Sequence, residues 1–377
     1  MTFAANLASF VGASNLTSTG ALSGPLTSAV HNSATTLSLQ TGGVTAVTVD
    51  ANQNLSTANT INVPNTFGFK NRIINGSFQI WQRGTSFTDS SVNNYYVDRW
   101  RSEGYSVSGS VVISQQTFTA GQTAVPGFPQ YYVQIATGGA IASGQYWAFQ
   151  QRIEAPQNLS GYETVTLSFW ARVPSGTLAA GTFTYGVGAT AASNPALSTT
   201  WQKITITQSL SYGYGNGYVP VYVVNLPAGT AATTVQIANV QVEIGNTATS
   251  FDYRPYGTEL ALCQRYYQKS YDLSVAPGTV LPSGDSSLAQ FCWGASNVGS
   301  VAGTIIPFPV QMRTAPTVTT YDGAGASGKV NTLNAGAGVT TGASTNTVIA
   351  NPQKYWLRMY NNSVYGVEWA WTASAEL

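Results

Sequence analysis

Charge is what this sequence has least of. Of its 377 residues, 15 are Lys or Arg and 14 are Asp or Glu, 8 % together, against roughly 25 % in ordinary soluble domains. The formal net charge is +1, with no basic block or stripe. That argues against nucleic acid as a partner, because phosphate neutralisation needs clustered Lys and Arg. Histidine occurs once, at His31, which removes every His-based triad or zinc site within one chain. Cys263 and Cys292 are the only cysteines, and their spacing forms no metal-ligand pair; two buried thiols are expected rather than a disulfide. No apolar run approaches the ~18 residues of a membrane helix, so no membrane insertion is expected. The opening "MTFAANLASFVGASNLTSTG" lacks the basic n-region and continuous apolar core of a signal peptide. "GAGASG" at 323–328 lacks the Lys-Ser/Thr of a phosphate loop and any helix after it. It reads as a loop, a candidate for a tip loop, and no cofactor is expected.

What remains is aromatic and uncharged polar. The 21 Tyr and 9 Trp supply large amphipathic rings, while Thr, Ser, Asn, Gln and Gly build the polar surface. Such a surface suits sugars, whose ring faces are apolar and whose edges carry hydroxyls.

Residues 1–66 contain no Lys, Arg or Trp, and Asp50 is their only acidic residue. Leu37 and Leu39, then Val47 and Val49, alternate with Thr and Ser, a strand signal with too few apolar residues to bury a core alone. Disorder fits, and so do short strands that find partners on other chains; the Val/Thr alternation favours the second. From Arg99 to Arg254 eight strand patterns recur, among them "SVVISQQTF", "YWAFQQRI", "VTLSFWARV" and "VPVYVVNL", each closed by Gly, Pro or Asn. In "VTLSFWARV", Val165, Leu167, Phe169 and Ala171 share one face and Thr166, Ser168, Trp170 and Arg172 the other, as in a half-buried antiparallel strand. In "VQIANVQVEI" the apolar parity slips near Ala238-Asn239, which predicts a β-bulge or a bend. Together these predict a jelly-roll sandwich over 67–257.

One helical pattern follows, over 258–270. Thr258 is placed to cap it, and Leu260, Cys263 and Tyr267 fall at i, i+3 and i+7 as one apolar stripe. Residues 271–377 return to strands, interrupted by the Gly- and Thr-rich "DGAGASGKVNTLNAGAGVTTGASTN". A second, smaller β-sandwich is expected there. The fold class is therefore all-β: a jelly roll, a connecting helix and a distal β domain, preceded by an extended N-terminal segment.

Carboxylates are too scattered to mark a glycosidase pair. Asp98 and Glu103, flanking Trp100, come nearest, and an ion pair with a neighbouring Arg is the expected role of Asp98. Asp252 and Arg254, two apart, suggest the same. No catalytic residue is assigned, and binding rather than catalysis is expected. The strongest local binding candidate is "SYGYGNGYVPVY", where Tyr212, Tyr214 and Tyr218 alternate with glycines beside Asn216. An uncrowded ring turn of this kind suits stacking on a sugar, and it equally suits padding of a sandwich edge or a subunit contact. A second binding candidate is "GQYWAFQQR", where Tyr146, Ala148 and Gln150 alternate with Trp147, Phe149 and Gln151; the face with Trp147 and Phe149 is expected in the core. In "IWQRG", Trp81 and Arg83 read as a structural corner, and the Trp369/Trp371 pair fits core or surface.

"RIINGSFQIWQRGTSF" (72–87), "YVDRW" (96–100), "LSFWARV" (167–173), "VQVEIGNTATSFDYRPYGTELALCQRYYQ" (240–268) and "FPVQMRTAPTVT" (308–319), in that order, resemble the distal, receptor-binding parts of phage tail-fibre proteins. "SLQTGGVTAVTVDANQNLS" (38–56) is similar to the shaft or tail-docking region of such proteins. The resemblance implies a carbohydrate-binding-module-like jelly roll, a homotrimer and a place in the virion's tail fibre. It also implies docking to other tail or baseplate proteins through residues 1–66, and attachment to host lipopolysaccharide or capsule. In a threefold fibre, Leu260, Cys263 and Tyr267 would pack around the axis as trimer contacts. A structural virion component that binds other tail proteins and a glycan-cleaving fibre are the alternatives.

Overall fold

The computed structural model describes residues 36–41, 44–50, 55–57, 69–89, 93–104, 110–155, 158–159, 163–211, 217–282, 285, 289–290, 302–334, 338–344, 348–354, 356–361 and 367–377. The chain divides into two compact units, Met1–Pro64 and Asn65–Leu377.

In the first unit, strands β1 (Thr36–Thr41), β2 (Val44–Asp50) and β3 (Leu55–Thr57) form one antiparallel sheet in that order. Leu39 pairs with Val47 and Leu37 with Val49. The strands expected to seek partners on other chains thus pair with one another.

The second unit opens with a sandwich of two six-stranded sheets. The first contains β4 (Ser86–Asp89), β7 (Val111–Thr117), β8 (Tyr131–Thr137), β10 (Thr164–Arg172), β13 (Gln202–Ser209) and β15 (Thr234–Ile244), ordered β13-β10-β15-β8-β7-β4. The second contains β5 (Tyr95–Val97), β6 (Trp100–Gly104), β9 (Trp147–Glu154), β11 (Thr184–Val187), β12 (Ala192–Ser193) and β14 (Tyr218–Leu226), ordered β12-β11-β14-β9-β6-β5. All eight expected strands are present. The additional strands β4, β5, β6 and β12 are too short to show a period of two. Val165, Leu167 and Phe169 of one sheet and Trp147 and Phe149 of the other belong to a single buried cluster. Phe78 fills its end, 5.3 Å from the Trp100 ring, and Trp100 lies flat on Phe149 at 5.2 Å. Fully burying each such ring contributes about 1.5–3 kcal/mol.

The outer face of β10 is less open than its alternation suggests. Thr166 and Ser168 are buried as well, and Trp170 packs against a second cluster of Val125, Tyr132 and Trp201. Arg172 lies 4.8 Å above the Trp201 ring. The segment between β7 and β8, which carries Val125, roofs this face.

The predicted bulge is real. Ser168 pairs with Gln241 but Trp170 pairs with Ala238, so β15 carries one extra residue, and Asn239 takes a left-handed φ of 48°. The notch receives the turn of "RIINGSF". Val240 N donates to Gly76 O at 2.9 Å, and Asn71 Nδ2 donates to Val240 O at 3.0 Å. A Cβ on Gly76 would stand 2.1 Å from Val240 O, so only glycine fits there.

Helix α1 runs Tyr256–Gln264, with Pro255 at its N-cap, shorter than the expected 258–270. Thr258 lies inside it and does not cap it. The helix stops because residues 267–269 pair as β16 (Tyr267–Lys269) with β24 (Val367–Ser374). Ala375 N extends that ladder, donating to Tyr266 O at 2.7 Å. Sheet hydrogen bonds thus displace the last turn.

β24 organises the distal region. It pairs with β16, β17 (Ala289–Gln290), β19 (Thr317–Tyr321) and β20 (Lys329–Asn334). β20 pairs on with β21 (Gly338–Ser344), and β18 (Ala302–Pro307), β23 (Trp356–Asn361) and β22 (Val348–Pro352) form a separate sheet. The Gly- and Thr-rich stretch expected between strands therefore itself contains the β20–β21 pair. Trp369 and Trp371 are core, packed with Phe308, Met312 and Val330. Ala370, on the opposite face, packs with Tyr271 and Leu281. In residues 323–328, Gly323 is buried and Leu281 N donates to its carbonyl at 2.8 Å, while residues 324 and 326–328 are exposed.

Candidate functional site

The residues that carry the tail-fibre resemblance converge on a buried polar hub. Asn75 takes a left-handed φ of 57°, and its Nδ2 donates to Ile80 O at 2.8 Å and to Asp98 O at 3.1 Å. Its backbone N–H donates to Glu259 Oε1 at 2.5 Å. Arg254 pairs with Glu259 at 3.1 Å, not with Asp252 as its spacing suggested. Asp252 instead accepts from Asn71 N at 3.3 Å. Asp98 lies 3.8 Å from Arg83, the expected ion pair, and accepts from Gln82 N at 2.7 Å and Gln82 Nε2 at 2.6 Å. Burial raises its carboxyl above the ordinary range, against the lowering effect of Arg83 and Gln82. Glu376 bridges Arg83 and Arg99. Arg83 lies over Tyr267 at 3.6 Å and Arg99 over Tyr266 at 3.5 Å. These motifs tie jelly roll, helix and distal strands together. They are architecture.

The stripe expected to face a threefold axis is largely consumed here. Cys263 is 1 % exposed and Tyr267 6 %, both covered by their own chain, and Tyr267 belongs to β16 rather than the helix. Neither offers surface to a neighbouring copy; Leu260 alone keeps partial exposure. Cys263 is a free thiol, its pKa pushed well up by burial. Cys292 lies outside the described residues.

Of the four glycan candidates, Tyr212, Tyr214 and Asn216 lie outside the described residues, and Tyr218 begins β14. Strand pairing shows what surrounds it. β6, β9 and β14 are neighbours in the second sheet, and Tyr222 stands opposite Gln150, with Pro220 opposite Arg152. Trp147 and Phe149 face the core as expected, so Gln150 and Arg152 face outward with Tyr218, Tyr222 and, from β6, Glu103. Glu103 Oε2 accepts from Gln150 Nε2 at 2.5 Å and from Tyr222 Oη–H at 3.3 Å. Its Oε1 accepts from Arg152 Nη2 at 3.3 Å. Arg152 Nη1 donates to Leu377 O at 3.0 Å, and its guanidinium lies 4.1 Å from the Tyr218 ring centre.

The cluster therefore offers a fixed carboxylate, a fixed guanidinium and two phenols on the partly exposed outer face of a sheet. Two polar atoms in it, Gln150 Oε1 and Arg152 Nε, are buried without a hydrogen-bond partner. The partly exposed Glu103, Arg152, Tyr218 and Tyr222 are groups of the kind that exchange hydrogen bonds with hydroxyls, which donate and accept at once. Glu103 and Asp98, the nearest carboxylates in sequence, go to different clusters on different partners. Sequence reasoning noted Tyr218 and Gln150 separately. Glu103 and Tyr222 were missed as binding residues, although their parity with Gln150 across adjacent strands was the available signal. Among the described residues, no group of three or more His, Cys, Asp or Glu side chains could hold a metal, and no helix is long and apolar enough to cross a membrane.

No protein-family profile matches the chain, and no curated protein matches it. Solved structures are similar to parts of the chain only at low identity and low TM-score. The enzymatically active domain of tailspike protein 4 of bacteriophage CBA120 is 14 % identical, with a TM-score of 0.28, over 47 % of this chain and 22 % of its own. The CBM22-1 xylan-binding domain of Paenibacillus barcinonensis Xyn10C is also 14 % identical, with a TM-score of 0.28, over 44 % of this chain and 99 % of its own. The tandem CBM22-1-CBM22-2 domain of the same protein is 11 % identical, with a TM-score of 0.27, over 78 % of this chain and 99 % of its own. Similarity of this size carries no inference about ligand or mechanism.

Proposed function

We propose that this protein is a phage tail-fibre, receptor-binding protein that attaches the virion to its bacterial host by binding surface polysaccharide without cleaving it. The observation that carries the reading is the Glu103–Gln150–Arg152–Tyr218–Tyr222 cluster on the outer face of the second sheet. It includes Tyr218, the first residue of β14, which follows the Tyr- and Gly-rich sequence of residues 212–217. Support also comes from the ordered motif set that resembles tail fibres, and from a chain with 8 % charged residues and 12 % aromatic residues. A polysaccharide lying along this face would set its hydroxyls against the Glu103 carboxylate and the Arg152 guanidinium. A ring C–H face would meet Tyr218 on the side that Arg152 leaves open.

In this reading Glu103 is a hydrogen-bond acceptor held by three donors, a binding role rather than an acid–base one. The protein works as a homotrimer, with residues 1–66 docking to other tail proteins and the distal region turned to the host. The test is competition of phage adsorption by the purified full-length chain, with host lipopolysaccharide and capsule as separate immobilised ligands. Saturable binding that blocks adsorption is expected, without release of reducing ends. Full-length chain that binds neither polysaccharide and fails to compete would support a purely structural virion role.

A further inference from the structure

A groove of about 610 Å³ runs between the Gln79–Phe87 loop of the jelly roll and residues 273–276 that follow β16. Both walls belong to the same compact unit, and the volume falls within the roughly 300–1,000 Å³ usual for small-molecule sites. We infer that it is a second binding site, for a neutral saccharide unit, separate from the outer sheet face.

The lining chemistry selects the ligand. Trp81, Tyr131, Tyr256 and Leu273 supply apolar walls, and Gln79, Gln82 and Gln115 supply amides. The rings are held in place. Trp81 Nε1 donates to Phe78 O at 2.8 Å, and its indole stacks on Phe87 at 6.5 Å with an interplanar angle of 6°. Tyr256 is 52 % exposed on the first turn of α1. Among the described residues, neither its phenol nor that of Tyr131 is hydrogen-bonded, and neither is the Gln79 amide. Gln115 spends its amide nitrogen on Phe78 O at 3.2 Å, which leaves its carbonyl oxygen as an acceptor. On the floor, Gln82 Nε2 is committed to Asp98 and to Tyr267 O, so the amide orientation is fixed. Gln82 Oε1 and Arg83 Nη1 are buried beneath this floor without a hydrogen-bond partner. The groups a guest would meet are the Gln79 amide, the Gln115 carbonyl oxygen and the Tyr131 and Tyr256 phenols.

Charge excludes the acidic alternatives. Among the described residues, Arg83 is the only charged side chain in the lining, and Glu376 at 3.1 Å with Asp98 at 3.8 Å already balances it. A uronate or sialate carboxylate would be desolvated there without a counter-charge. A neutral pyranose presents what the groove lacks: hydroxyls for the amides and phenols, and a C–H face for the rings. Trp81 and Arg83, expected to form only a corner, form the corner and the floor of a site.

The test uses saturation-transfer NMR and titration of the full-length chain with lactose, cellobiose, maltotriose and digalacturonate. At least one neutral sugar is expected to bind and digalacturonate is not. The half-exposed Tyr256→Ala and the surface change Leu273→Arg are each expected to weaken that affinity about tenfold, the scale of one lost aromatic contact. Tyr218→Ala should leave this affinity unchanged while lowering polysaccharide adsorption, so failure of the groove and failure of the outer-face reading are distinguishable. Absence of binding by all three neutral sugars, tighter binding of digalacturonate, or binding that survives both Tyr256→Ala and Leu273→Arg overturns the inference.

Discussion

Replacing Glu376 by Gln removes one charge from a buried cluster that is otherwise neutral. Arg83 and Arg99 contribute two positive charges, Asp98 and Glu376 two negative. The Arg99 side chain is 1 % exposed and that of Glu376 6 %, so water screens neither. The amide keeps the shape of the carboxylate but leaves two guanidinium groups facing Asp98 alone, and Asp98 lies 3.8 Å from Arg83. Breaking a buried pair from one side costs roughly 3–5 kcal/mol. Because Gln still accepts one hydrogen bond, about 3 kcal/mol is expected for Glu376→Gln. Equilibrium urea unfolding followed by tryptophan fluorescence reads this as a lower midpoint at unchanged slope. Arg99→Leu in the Glu376→Gln background should recover part of the loss, because it removes the orphaned charge. A Glu376→Gln midpoint indistinguishable from wild type, or two losses that simply add, would refute the claim that this network holds the distal strands to the jelly roll.

Gly76→Ala should prevent correct seating of the 71–78 turn, because its Cβ would stand 2.1 Å from Val240 O; a loss of several kcal/mol in the same assay is expected. Lys269 donates to Leu273 O at 3.0 Å and Val275 O at 2.6 Å, and burial lowers its pKa to about 8. Between about pH 8 and the ordinary lysine value the unfolded chain binds more protons than the folded one, so this group makes stability rise with pH. Comparing wild type with Lys269→Met at pH 7.5, 8.5 and 9.5 should show the rise in wild type alone. Cys263, buried and with a raised pKa, should resist alkylation in the native protein and react at the rate of unfolding, measured by mass spectrometry of the labelled peptide. At the proposed polysaccharide face, Glu103→Gln and Tyr218→Ala should each weaken adsorption by roughly tenfold with little change in the urea midpoint.

How much of this was legible in the sequence depended on whether the information was local. A period of two over seven or more residues exposes a strand, so β7 to β10 and β13 to β15 were readable. The parity slip at Ala238-Asn239 located the bulge to the residue. A three-residue strand such as β5 has no period to read. The end of the helix is set by β24, more than a hundred residues away, and composition around 265–270 could not announce it. Tyr267 illustrates the difference. Its spacing from Leu260 and Cys263 fits a helical stripe, yet the hydrogen bonds available from 372–374 are worth more to its backbone than one further helical turn.

The same reasoning explains why the hub residues and the candidates on the outer sheet face proved to be different residues. Asn75, Gly76, Asp98, Arg99, Arg254 and Glu259 each meet partners far away in sequence, inside a region where an unpaired polar group costs about 1–3 kcal/mol. Each has a partner geometry that few other side chains can meet, which makes such residues conspicuous without making them functional. Glu103, Gln150, Arg152, Tyr218 and Tyr222 come together only because three adjacent strands place alternate residues on one face. No short window of sequence contains them. In a sandwich whose interior and hub are this constrained, ligand choice would fall to outward strand positions and to surface grooves. There a substitution alters what is bound and leaves the fold standing.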